Sequence, residues 1–383
     1  MSTNRALACA GLLFSAACAS TPAVPCATDM DCIGTKQSSV CEPTTLTCKP
    51  GPARATLIGS GDGTAASVPM TVAFESTAGR RFTGFGWNPV RPTELWVVDQ
   101  SDNSVFIVTG AGTAEVASTK KRDPAAGHFM DRPTGMAFAA DGTWGTCGET
   151  DNSQNGSTDF MGPAVFSSDP AIFARSTPGG LGSHLDMLHD SPFCMGIVHE
   201  TANRYWAFDG MHGAAVRYDF HMFHEPGGDD HSDGEINVYG DGALLRAEGI
   251  PSHLALDAST SLLYIADTGN KRVAVLDTTK GTPGAELDSL ESVVPVQMDG
   301  VTFTDLVPAG TLEAPSGVAL ADQILYVSDN ATGRISAYTL GGQLVRTLDT
   351  GIATGGAGAL VVGPDGKLYI SDLGAARIYR LDP

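Results

Sequence analysis

Short apolar runs of alternating pattern, each closed by a polar turn, recur through most of this chain. Near its end they fall into register. Ser252-His253-Leu254-Ala255-Leu256 is followed by Leu263-Tyr264-Ile265-Ala266-Asp267 and Arg272-Val273. The order returns as Ser316-Gly317-Val318-Ala319-Leu320, Leu325-Tyr326-Val327-Ser328-Asp329 and Arg334-Ile335. It returns again as Ala357-Gly358-Ala359-Leu360-Val361, Leu368-Tyr369-Ile370-Ser371-Asp372 and Arg377-Ile378. A two-residue period bounded by turns predicts strands, and a repeated set of short strands predicts sheets arranged around an axis.

Three earlier copies are more divergent. Cys194-Met195-Gly196-Ile197-Val198 leads to Arg204-Tyr205-Trp206-Ala207-Phe208-Asp209. Pro133-Thr134-Gly135-Met136-Ala137-Phe138 leads to Asp141-Gly142-Thr143-Trp144, with Cys147-Gly148-Glu149 where Asp is expected. Gly84-Phe85-Gly86-Trp87 leads to Leu95-Trp96-Val97-Val98-Asp99. Six copies predict an all-β, six-bladed β-propeller over residues 54–383, and the motif resembles the NHL repeat family. The last copy ends at Asp382 with no room for an outer strand. The lone run Ala55-Thr56-Leu57-Ile58 is therefore expected to complete the last blade and remove the open sheet edges.

The strand-end aspartates (Asp99, Asp209, Asp267, Asp329, Asp372) are read as caps of the following hairpins, accepting from backbone N–H groups. The arginines five residues later (Arg272, Arg334, Arg377) are expected to reach those carboxylates.

Composition agrees with a turn-rich β protein: 46 glycines, 42% hydrophobic and only 17% charged residues. The formal charge of −20 opposes nucleic acid and anionic lipid as partners. It suits solubility, cationic ligands or divalent metals. Residues 1–25 read as an export signal, with Arg5 before a short apolar run from Ala6 to Ala17. Ser15-Ala16-Ala17-Cys18 resembles a bacterial lipobox, which makes Cys18 a candidate lipidation site and the lipid anchor the sole expected membrane contact. Ordinary cleavage after an Ala-x-Ser-like site is the alternative.

Residues 26–50 form a Cys-rich module. Cys26, Cys32, Cys41 and Cys48 lie in a segment too polar to fold by burial, so two disulfides are expected, with three pairings open. The spacing C-x5-C-x8-C-x6-C lacks the close pairs of a zinc knuckle. The stretch resembles the stalk module behind the signal peptide of many exported myxobacterial proteins. Cys147 and Cys194 fall on neighbouring repeats and are a candidate third bridge.

Of nine histidines, eight lie between His184 and His253. Histidine is the commonest metal ligand and the side chain that titrates near neutral pH. Blade topology is expected to put His253, His212, His184 and His189 on one rim, and His199, His221, His224 and His231 on the other. His253 stands at the start of an inner strand, where other copies carry Gly135, Gly196 and Gly317. Pro251-Ser252-His253-Leu254 resembles the axial zinc motif of peptidyl-hydroxyglycine lyase propellers, with the His one place later. That resemblance implies an axial metal on His253, with His184, His189 or His212 as loop ligands. A second candidate metal loop lies in the insertion from Asp219 to Asp233, where Asp229, His231 and Asp233 alternate before a Gly in the manner of a calcium loop. Zinc or calcium are the cofactors these patterns would take.

No G-x-S-x-G elbow, phosphate-binding P-loop or dinucleotide fingerprint is present. The sequence therefore predicts an exported, monomeric propeller at the cell envelope or secreted, acting as a binding or scaffold module for a protein, glycan or small-molecule ligand. The competing expectation is a metal-dependent lyase or hydrolase with a His-lined axial site.

Overall fold

The computed structural model describes residues 40–42, 46–49, 56–151, 160–289 and 292–383, and separates the chain into two units, Met1–Pro52 and Ala53–Pro383. In the first unit, strands Val40–Glu42 and Thr47–Lys49 form an antiparallel hairpin whose register sets the Cys41 backbone opposite that of Cys48. Cys18, Cys26 and Cys32 lie outside the described residues, as does the export segment. Among the described residues no helix is long and apolar enough to cross a membrane.

The second unit is a six-bladed β-propeller. The blades begin, in chain order, with the inner strands Phe82–Trp87, Pro133–Phe138, Ile197–Thr201, Leu254–Asp257, Pro315–Ala321 and Ala357–Val362. Each inner strand pairs antiparallel with a second strand, and the aromatic residue of that second strand separates one blade from the next. Trp96, Trp144, Trp206, Tyr264, Tyr326 and Tyr369 are all buried at 2% exposure or less. Large rings at equivalent positions fill the gaps between splayed sheets, and each buries on the order of 150–250 Å².

The inner strands meet at the axis, where glycine is a packing requirement. A Cβ on Gly84 would lie 2.7 Å from the Gly135 Cα, and Cβ atoms on Gly196 and Gly317 would run into the carbonyl oxygens of Ser252 and Gly358. Polar side chains tie successive blades together there. Thr83 Oγ1 donates to the Pro133 carbonyl (2.6 Å), Thr134 Oγ1 to that of Cys194 (2.8 Å), and Ser328 Oγ to that of Gly358 (2.6 Å).

The ring closes through an N-terminal strand, but a different one from that expected. Met70–Glu75 pairs antiparallel with Arg377–Leu381 and completes the sixth blade. Thr56 to Gly59 instead forms a tight turn, because Gly59 takes a positive φ of 74° and the Thr56 and Gly59 backbones bridge each other. Met70–Glu75 has the longer alternating run needed to cover an edge.

The strand-end aspartates do cap their hairpins. Asp209 Oδ1 accepts from the Met211 and His212 N–H groups, Asp329 Oδ1 from Ala331 and Thr332, and Asp372 Oδ1 from Gly374 and Ala375. The arginine partnership holds in one copy: Arg272 Nε reaches Asp267 at 2.7 Å. Arg377 instead pairs with Glu75 of the closing strand at 2.9 Å, and Arg334 is exposed. Where the second copy lacks its Asp, Cys147 forms a disulfide with Cys194, so a covalent link joins the second blade to the lead-in of the third.

An unexpected hairpin, Thr282–Glu286 and Val296–Asp299, projects from the fourth blade. Val296–Asp299 pairs in parallel with the outer strand of the third blade, Glu235–Tyr239, and makes that sheet six-stranded.

Candidate functional site

His253 is the one inner-strand position of its kind that carries a large side chain where others carry glycine. The ring reaches across the axis, and Nε2 lies 3.0 Å from the Thr83 carbonyl oxygen of the first blade. A carbonyl only accepts, so Nε2 carries the proton. Its pKa is pushed down to about 4, chiefly by burial, with the Thr83 carbonyl opposing the shift. His253 is therefore a neutral strut with Nε2 committed to Thr83. Beside it Arg81 donates across the axis to the Gly249 carbonyl. Glu149, buried at 2% exposure, accepts from Arg246 (3.0 Å) and from the Gly249 N–H (2.7 Å). The channel mouth is thus bridged by polar contacts joining the first, second and fourth blades.

The other histidines assigned to this rim do not converge on His253. His212 Nδ1 pairs with Asp209 Oδ2 at 2.6 Å, in the hairpin of the third blade. His189 stacks on Phe160 at 3.7 Å between ring centres and lies 5.6 Å from His128. His184 is on the opposite rim. It opens the outer strand His184–Met187 of the second blade and pairs with Phe166, next in register to the first residues of the second strand. The rim expected for His184 from the sequence is therefore corrected: the outer strand it opens follows a long connection and is only four residues long, too short to stand out in the sequence pattern.

The structure groups His184 with His224 and His231 instead. One ring nitrogen from each lies within 4.8 Å of the others. Asp229 and Asp233 do not join His231 in such a group among the described residues: Asp233 Oδ2 accepts from the Met222 N–H, and Asp230 holds Ser232. A second group, Asp219, His221 and Glu235, lies at the base of the same insertion, but Asp219 already pairs with Arg204 at 2.5 Å and His221 with Glu235 at 3.4 Å.

A cavity of about 230 Å³ lies on the rim that holds His212. Asp190, Asp209, His212, Val238, Asp241, Leu287 and Asp288 line it. Burial raises the Asp209 pKa against the opposing effect of His212, while Asp241 and Asp288 are exposed at the cavity mouth. Leu287 and Asp288 come from the inserted hairpin of the fourth blade and Asp190 from the segment leaving the second, so the cavity is not built by the third blade alone. No local spacing in the sequence joins Asp288 to Asp209. The signal that could have found it is the alternating run Val296-Gln297-Met298 beyond the third strand of the fourth blade.

No protein-family model matches the sequence, and no curated protein matches it. Among solved structures, an auxiliary nutrient binding protein from Bacteroides thetaiotaomicron is similar with a TM-score of 0.54 at 12% identity, over 82% of this chain and 76% of that one. A calcium-binding protein, regucalcin, from Agrobacterium tumefaciens is similar with a TM-score of 0.52 at 11% identity, over 82% and 93% of the two chains. A luciferin-regenerating enzyme gives 0.51 at 13% identity, over 82% and 95%. The structural neighbours are propellers of the NHL- and regucalcin-like kind, and at these identities they establish the six-bladed fold.

Proposed function

We propose that the protein is an exported binding module of the cell envelope, and that its ligand site is the acidic cavity on the rim of the third blade. The observation that carries this reading is the cavity wall: four aspartates and one histidine around a space of about 230 Å³, on a chain of formal charge −20. A space this small takes a small ligand or the end of a long side chain. Carboxylates at its mouth, with the field of the whole molecule behind them, favour a cationic group such as an amine or guanidinium. Val238 and Leu287 supply the apolar wall for the stem that carries it.

A nutrient-binding protein among the structural neighbours accords with a binding role, and an enzyme among them shows that the same fold also hosts chemistry. No observation favours the lyase or hydrolase reading at the axis. Catalytic zinc needs three protein ligands and an open position, and His253 is not accompanied there by His184, His189 or His212.

The test is a thermal-shift screen of amines, guanidines and quaternary ammonium compounds against size-matched anions and neutral sugars. The expected result is stabilisation by cationic compounds that weakens with added salt and with Asp241→Asn or Asp288→Asn. Stabilisation by anions or sugars, unchanged in those variants, would overturn the assignment.

A further inference from the structure

The geometry points to a transition-metal site, unconnected with the acidic cavity, formed by His184, His224 and His231 where the insertion of the third blade folds against the outer strand of the second. The ring centres lie 4.9 Å (His184–His224), 5.2 Å (His224–His231) and 5.9 Å (His184–His231) apart. One nitrogen of each falls within 4.8 Å of the others. Three nitrogens on one zinc ion stand about 3.3 Å apart, given bonds of about 2.0–2.1 Å, so small rotations of the rings complete the set.

Two of the rings are already oriented as metal ligands usually are. His184 Nδ1 lies 2.9 Å from the Leu181 carbonyl oxygen, and His224 Nδ1 lies 2.6 Å from that of Glu225. Each carbonyl accepts a hydrogen bond from Nδ1–H, so the proton sits on Nδ1 and the Nε2 lone pair is bare. Such backbone partners fix the tautomer and ring angle of metal-bound histidines. Nε2 of His184 and Nε2 of His224 are both buried and have no hydrogen-bond partner. An imidazole nitrogen removed from water with nothing to bond carries a desolvation cost that a metal would remove. His184 itself is fully buried and stacks on Phe129 at 3.6 Å, so its position is set before anything binds.

The loop that brings the other two ligands is also fixed. Gly227 N–H donates to the His184 carbonyl at 2.8 Å, tying the insertion to the outer strand at the ligand residue. Gly227 has a φ of 73°, and a Cβ there would collide with Thr177 and Gly182, so the tie requires glycine. The donor set selects the ion. Three neutral imidazoles and no carboxylate suit zinc or a neighbouring divalent transition metal, and exclude calcium, which takes six to eight oxygens. His224 and His231 are partly exposed, and water would be the fourth ligand.

The test uses the full chain with disulfides intact, stripped with chelator and titrated with zinc. Elemental analysis is expected to give one equivalent per chain, with a rise in Tm that calcium does not reproduce. His184→Ala removes a buried stacked ring and can fail by misfolding, so His224→Gln and His231→Gln carry the test from the loop. Each is expected to keep the metal-free Tm and to weaken zinc binding about 100-fold or more. His221→Gln is expected to leave binding unchanged. Zinc uptake below one equivalent by the wild-type chain, full uptake by the His224 and His231 variants, or loss only with His221→Gln would each overturn the site.

Discussion

His253 and Thr83 belong to opposite blades, and the hydrogen bond between them, Nε2 to carbonyl oxygen at 3.0 Å, spans the propeller axis. Gly84, Gly196 and Gly317 occupy the matching position in three other blades, where a Cβ would run into backbone. The imidazole therefore acts as a cross-brace beside the other polar side chains that bridge the blades at the axis. Its folded pKa of about 4 lies below the unfolded value of 6.5. Between those values the unfolded chain takes up a proton that the folded chain refuses. Stability is thus lost as pH falls from about 6.5 towards about 4, and this contribution stops changing below that. A shift of this size corresponds to about 3 kcal/mol at most. Urea unfolding at pH 7 and pH 4.5 should show wild type losing about 2–3 kcal/mol more than His253→Gln. Equal losses in the two chains would contradict burial of His253 as a neutral imidazole.

The disulfide between Cys147 and Cys194 closes a loop of 47 residues between two blades. The double replacement by alanine is expected to cost about 2–4 kcal/mol. Thermal unfolding with and without reductant measures it: reductant should lower the Tm of the wild type and leave the Tm of the double variant unmoved.

Glu149 is buried and holds Arg246 and the Gly249 N–H on one carboxylate oxygen. Glu149→Gln keeps the shape and removes the charge, leaving Arg246 facing the channel mouth with Arg81 and Arg132 nearby. The expected cost is about 2–4 kcal/mol, since breaking one side of a buried ion pair leaves the other charge uncompensated. Chemical denaturation reads it directly, and a cost below about 1 kcal/mol would show the pair to be as weak as an exposed one.

Ring closure by Met70–Glu75 gives a sharp length dependence. A chain beginning at residue 56 should fold and melt cooperatively. One beginning at residue 77 exposes the Arg377–Leu381 edge and should aggregate or unfold. Size-exclusion chromatography of the two separates these outcomes.

The blades were legible because each repeats a local device: an inner strand that glycine allows to approach the axis, an aromatic spacer, and a capping Asp. These depend on neighbours a few residues away. The site geometry does not. His184 falls on the opposite rim from that expected because the strand it opens is only four residues long and pairs with the third strand only from His184 to Met187, opposite Ala164 to Phe166. The cavity needs Asp288 and Asp209 in one wall, and that arises only when Val296–Asp299 adds in parallel to a neighbouring sheet. Closure by one N-terminal strand followed from the missing fourth strand of the last blade. Its identity did not, because Thr56–Gly59 is apolar enough to read as a strand while Gly59 turns it back on itself.

The most direct measurement is a crystal structure of the protein with the best cationic compound from the thermal-shift screen. The compound is expected in the third-blade cavity against Asp241 and Asp288, with the His253 to Thr83 bond intact. A compound or metal ion on the axis, with His253 turned away from Thr83, would contradict it.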